Sequence, residues 1–444
     1  MNRRTRRSIQ RVSNQKELSI INPHVAGIDI GSEEHYVAVP PNSCEQPVQK
    51  FGCFTKDIQA MAKWLRKCNV KSIAMESTGV YWIPVFQILE TEGFEVLLVN
   101  AYDVKNLPGR KTDVLDCQWI QMLHCYGLLR GSFRPNDETV ILRAYVRQRD
   151  RLTRLATMHV QRMQKAMTEM NMQLHHAISD ITGASGLRII ESILHGERNP
   201  QKLALLCDYR IKKSMKTVAA SLEGDWREEQ LFLLDQEYAA WKYVQHQIQE
   251  VDTQIEQQLG NMQKKTTIGN AQNIKSVLQE VCGIDLCKVH GLDTNTVLVL
   301  ISEIGVDMSH WKTEKQFASW LGLCPNHRIT GGVVHRRHTR KVVNRASRAL
   351  RLAALSLRRS SCALGAFFRR IQARSGMPKA ITATAHKLAR LYYQLISTQQ
   401  EYRDTGVDYY EQKYRNNLIK FLKRKAESLG CQVVDNQAVT APAR

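Results

Sequence analysis

No CxxC pair occurs among the 11 cysteines of this chain, and the nearest approach, Cys282 with Cys287 in CGIDLC, suits neither a zinc knuckle nor a redox motif. Scattered thiols in an odd number read as reduced and buried, as in a cytoplasmic protein, and exclude a disulfide-stapled scaffold. No run of about 18 apolar residues is present, so no membrane span is expected. Prolines number only 11 in 444 residues and hydrophobic residues make up 43%, which excludes a disordered chain. The most informative absence is of acid. From Lys315 to Gln400 there are 17 Lys and Arg and no Asp or Glu, in a chain whose net charge is +21. Self-repulsion on that scale calls for a polyanionic partner, and nucleic acid is the commonest. The opening MNRRTRRSIQRVSNQ is also basic and lacks the apolar core of a signal peptide. Residues 1–20 therefore read as an arm that touches phosphates.

What is present falls into blocks. Residues 24–39, HVAGIDIGSEEHYVAV, read as two strands joined at Gly31 and Ser32, with a third strand at QKFGCF. A helix DIQAMAKWLRKCN, a strand KSIAME, a helix IPVFQILETEG, a strand FEVLLVN and a helix in KTDVLDCQWIQMLH follow. Three strands and then alternating helix and strand is the order of a ribonuclease-H-like α/β domain over 21–136. Residues 137–265 turn helical, with polar breaks at ITGASG and HGERNP. There Trp241, Val244, Ile248, Val251 and Ile255 recur as in a coiled-coil seam. Residues 266–400 read as a further helical domain with a bend at Gly291, and 401–444 as a helix and tail. The fold class is thus α/β plus all-α.

Four acids stand at element ends: Asp29 on the first strand, Glu76 closing a later one, and Asp113 with Asp116 three residues apart on one helix face. Alone, each is most simply a cap or a surface residue. Gathered at one sheet edge they would repel, and a hard divalent cation relieves that repulsion. Two Mg²⁺ ions held there would serve phosphoryl transfer, with Lys111 on a phosphate and Ser77 and Thr78 orienting the metal shell.

The basic residues form two sets. Arg143, Arg147, Arg151 and Arg154 share one helical face whose neighbourhood holds a single acid, Asp150, which favours phosphate contact over a solvated stripe. Downstream, HRITGG precedes VVHRRHTRK. Thr330 is either a turn residue or a hydroxyl nucleophile offered to a phosphate. Gly331 and Gly332 let backbone approach a phosphate, and Arg328, Arg336, Arg337 and Arg340 would neutralise its oxygens. Lys341, Arg345 and Arg348 continue as a basic stripe opposite Val342, Ala346, Leu350 and Leu357.

GIDIGSEEH, MESTGVYW, GRKTDVLDCQW and LGLCPNHRITGG together resemble the DEDD transposases of insertion-sequence family 110, over about residues 24–400. The resemblance implies a RuvC-type first domain, a coiled coil and a transposase domain, with Asp29, Glu76, Asp113 and Asp116 as the DEDD acids. It further implies donor and target DNA as substrates and a non-coding bridge RNA that pairs with both. A homo-oligomer, dimer or tetramer, in a prokaryotic nucleoid-associated setting would combine both domains in its active sites. The family's nucleophile is a serine directly before glycine, and here Thr330 holds that place. Threonine keeps the hydroxyl but adds a methyl that restricts χ1. A working threonine, an impaired copy and a shifted alignment all remain open, although no serine lies between Ser319 and Ser347. Three other readings compete: a Holliday-junction-type nuclease using metal-activated water, a sugar-kinase relative suggested by DIGS, and a non-enzymatic RNA-binding protein.

Overall fold

The computed structural model describes residues 19–77, 79–100, 113–262, 274–326, 328–331, 333–336, 339–340, 342–404 and 406–433. The chain divides into two compact units, Met1–Arg134 and Pro135–Arg444. Among the described residues no helix is long and apolar enough to cross a membrane. All 11 cysteines are free thiols.

The first unit is built on a mixed sheet ordered β3-β2-β1-β4-β5. Its strands are β1 (Val25–Ile30), β2 (Glu34–Ala38), β3 (Val48–Gly52), β4 (Ser72–Glu76) and β5 (Glu95–Val99). The first three pair antiparallel, and β1, β4 and β5 run parallel. Side chains alternate between the two faces. Ala26, Ile28, Ile30, Ile73 and Met75 point into a core shared with α1 (Thr55–Lys67) and α2 (Trp82–Thr91). The opposite face carries Ala74, Leu97 and Val99, packed on Ile120 and Trp119 of α3 (Asp113–Cys125). Three strands followed by helix–strand alternation is the order expected from the sequence.

The second unit is helical. Its α4 (Asp137–Glu169) opens on Asn136, whose side chain accepts the Thr139 N–H, with Asp137 and Glu138 in the first turn where the helix dipole favours them. A head containing α5 (Ala184–Leu194) packs Ile189, Ile190 and Ile193 against Met163, Met167, Leu222 and Leu234. The chain returns along α6 (Glu228–Met262), antiparallel to α4: Arg149 bonds Asp252 and His159 meets Glu237. Between them Leu152, Ala156 and Val244 are buried, flanked by Trp241, Ile248 and Val251. This is the seam its periodicity predicts.

Beyond lie α7 (Ile274–Cys282), α8 (Thr294–Ile304), α9 (Glu314–Trp320), α10 (Arg345–Ser356), α11 (Ala363–Ser375), α12 (Met377–Thr398) and α13 (Val407–Glu427). Trp311, Phe317, Trp320, Tyr392 and Tyr393 form the aromatic centre. Tyr392, buried, donates to Gly305 O at 3.0 Å and the half-buried Tyr393 to Trp311 O at 2.8 Å, so both phenols are satisfied. One feature departs from the helical expectation for 266–400. β6 (Arg328–Thr330) and β7 (Val333–Arg336) form an antiparallel hairpin. β-branched residues flank a two-glycine turn there, a local pattern that overrides the surrounding helical context.

Candidate functional site

Gly27 decides where α3 lies. A Cβ at that position would stand 2.2 Å from Gln121 N and 2.4 Å from Cys117 O, so the helix backbone rests directly on β1. The last turn of α3 is tied to the start of the sheet. His124 Nε2 lies 2.9 Å from Ser72 Oγ, and the Ile21 and Asn22 amides donate to Cys125 O at 3.0 and 2.9 Å. A 13-residue helix and a six-residue strand both span about 20 Å. The first turn of α3 therefore reaches the opposite end of β1 and β4, where Asp29 and Glu76 stand.

These acids share a face. Asp29 lies two residues beyond Gly27, and Glu76 two beyond Ala74, so both belong to the α3 side. The parallel register pairs Ile28 with Met75, which sets Asp29 and Glu76 one step further along neighbouring strands. Glu76 is buried, whereas Asp29 and Asp116 are half-buried. Burial, with the charges of Asp29 and Asp116, pushes the Cys117 thiol up to about 12. That thiol stays protonated, so the donors offered at this end of the sheet are carboxylate oxygens. Asp113 begins α3 on the Asp116 face, but its side chain lies outside the described residues. Carboxylate oxygens suit a hard cation such as Mg²⁺.

Thr330 ends β6 and pairs with Val333 across the turn. It is exposed, and Gly331 takes φ +58° with open space where a Cβ would be. Ile329 and Val333, either side, are each 61% exposed, so the hairpin presents an uncovered apolar surface around the hydroxyl. Lys111, Thr78, Gly332, Arg337 and Lys341, and the side chains of Arg328 and Arg336, lie outside the described residues.

The arginines of α4 divide by task. Arg143 donates to Ser302 O at 3.2 Å and Glu303 O at 2.7 Å, closing the C-terminal end of α8. Arg147 grips the buried Glu303 carboxylate at 2.8 and 2.7 Å, and that hydrogen bonding raises its own pKa. Arg143 is half-buried, whereas Arg147 stays exposed while it holds the carboxylate. Arg151 bonds Gln148 and stays exposed, as does Arg154, 2.5 Å from Asp150. Asp150 also accepts from Arg345 at 2.9 Å, joining α4 to α10. Here a cavity of about 210 Å³ is walled by Arg154, Arg345 and Arg348, with Asn295 and Thr296 at the start of α8. A second groove runs past Arg340, Asn344, Arg348 and Arg351, so Arg348 borders both. Asn295, Thr296 and Arg351 were not singled out by sequence. Only folding sets them beside Arg345 and Arg348.

Two family models match the chain. One, for DEDD transposases of the IS110 group and described as Transposase, covers residues 26–172, and the other, Transposase IS116/IS110/IS902 family, covers 285–369. Together they span more than half of the chain. No curated protein matches it.

Proposed function

The chain belongs to the IS116/IS110/IS902 family of DEDD transposases, a DNA-processing family, and on that premise we propose that it recombines DNA through a covalent threonine–phosphate intermediate. The first unit acts in this reading as a RuvC-type ribonuclease-H-like domain, supported by its three antiparallel strands continued by two parallel ones. The observation that supports the proposal is the contact of α3 on Gly27, which brings the first turn of α3 toward the strand ends of Asp29 and Glu76.

Asp29, Glu76, Asp113 and Asp116 would hold Mg²⁺, in one or two ions, which when bound neutralises charge on a phosphate undergoing transfer. The Thr330 Oγ1 attacks phosphorus as its proton passes to a base. The new P–O bond forms as the bond to one deoxyribose oxygen breaks, and that oxygen leaves as a hydroxyl. Attack by a second strand's hydroxyl reverses the step and releases threonine, so rejoining needs no ATP. Arg340, Arg345, Arg348, Arg151 and Arg154, exposed or half-exposed, would track donor and target DNA and a guiding bridge RNA. Arg328, Arg336, Arg337, Lys341 and Lys111 join this set from their place in the sequence, and Gly331 with Gly332 would bring backbone amides to a phosphate. A homo-oligomer is the expected working form.

Incubation with cognate DNA and RNA should trap a protein–DNA adduct, lost in Thr330→Ala and kept in Thr330→Ser. An adduct persisting in Thr330→Ala sinks the nucleophile assignment. Free 3′-hydroxyl products with no adduct from the unaltered protein would instead favour the Holliday-junction-type nuclease, which needs only the carboxylates.

A further inference from the structure

Three donor atoms of the second unit converge away from the arginine-lined cavity and the Thr330 hairpin. His290 Nδ1, Cys362 Sγ and a carboxylate oxygen of Asp404 all lie within 4.8 Å of one another. They come from three separate stretches: the bend before α8, the residue that caps α11, and the segment between α12 and α13. The bend is fixed, because Gly291 takes φ +92° and a Cβ there would stand 3.0 Å from both Ala353 O and Leu357 Cγ. Cys362 is buried, and its sulfur accepts the Gly365 N–H at 3.3 Å, a contact that supports a thiolate. Asp404 is the telling member. Its Oδ2 lies 3.9 Å from His290 Nδ1, too far for a hydrogen bond, and its buried Oδ1 has no well-formed hydrogen bond among the described residues, although Tyr402 and Lys387 lie close enough to feel the carboxylate's charge.

We propose that His290, Cys362 and Asp404 bind a Zn²⁺ ion, with the fourth position open to solvent. Sulfur with imidazole selects a borderline metal over Mg²⁺ or Ca²⁺, which take oxygen. Ligand bonds of about 2.0–2.3 Å place tetrahedral donors about 3.5 Å apart, so the trio needs to close by about 1 Å. Exposed His290 has the freedom to do so. Binding deprotonates the Cys362 thiol and releases that proton to solvent as the Zn–S bond forms. The ion ties the chain entering α13, a helix with no buried residue of its own, to the helical body. His290 borders a solvent-open groove with Lys275, Lys288 and Asp293.

The test uses the full-length protein purified without chelator, its zinc content measured, and Co²⁺ loaded after chelation. About one zinc per chain is expected, with a roughly tenfold loss in His290→Ala and in Cys362→Ser. Co²⁺ should give a thiolate-to-metal charge-transfer band that disappears in Cys362→Ser. Zinc should raise the melting temperature of the chelated wild type and leave His290→Ala unmoved. Asp29→Ala should keep its zinc, which separates this site from the carboxylates of the first unit. Wild-type protein with less than about 0.1 zinc per chain, or a charge-transfer band retained in Cys362→Ser, overturns the proposal. His290 is exposed, so circular dichroism of His290→Ala is expected to match wild type and keep the comparison valid if Cys362→Ser misfolds.

Discussion

The sharpest perturbation is Gly27→Ala. The added methyl meets Gln121 N at 2.2 Å and Cys117 O at 2.4 Å, whereas real contacts of this kind do not fall below 3.0 Å. The obstacle is helix backbone, so no rotamer relieves it, and α3 must withdraw by about 0.8 Å or more. Overpacking of this order costs about 1–3 kcal/mol, and a displacement approaching 1 Å at a catalytic group can lower a rate about 100-fold. Calorimetry should show a first-unit transition lowered by several degrees. Strand cleavage in Mg²⁺ should fall by about two orders of magnitude, with nucleic-acid affinity unchanged. Gly260→Ala is the control, because that helical glycine has nothing within 4 Å of the new methyl. If Gly27→Ala melts like wild type and cleaves within about twofold of it, α3 does not set the carboxylate geometry and the assignment fails.

Glu303→Gln should cost about 2–4 kcal/mol in urea unfolding, because it strips charge from a buried carboxylate held by Arg143 and Arg147; a cost under about 0.5 kcal/mol would mean the arginines are free to bind phosphate. His35 and His124 are buried and burial lowers both pKa values below 6.5. The unfolded chain therefore takes up protons first as pH falls. Stability is full above about pH 6.5 and drops below it by up to about 1.4 kcal/mol per pH unit for each histidine. The slope should shrink in His35→Asn, as read from urea midpoints at about pH 5.5 and 7.5. Replacing Arg345 and Arg348 together with Gln should lower the salt dependence of DNA binding by about 0.9 for each lost phosphate contact. An unchanged slope on filter binding would remove that cavity from the interface.

Much of the first unit was legible because alternation and turn chemistry act locally. GIDIGS reads as a strand meeting a turn, and KTDVLD as a helix start, without knowledge of what either packs on. The hairpin at Thr330 was less legible, because a run with only three residues in one strand falls below any periodicity that a helical neighbourhood does not swamp. Arg143 and Arg147 show the reverse limit. Their spacing marks a basic face, and only the partner Glu303, 156 residues from Arg147, tells that one end of that face is engaged by a buried carboxylate.

The sequence alone determined the strong basic charge and the order of strands and helices in the first unit, since charge, turn residues and apolar period are properties of adjacent residues. The tertiary structure decided which arginines of α4 are joined to Glu303 and why a glycine precedes Asp29. It also decided that a histidine, a cysteine and an aspartate from remote stretches face one another. Those facts depend on contacts between segments remote in the sequence, and distance along a chain carries no record of distance in space.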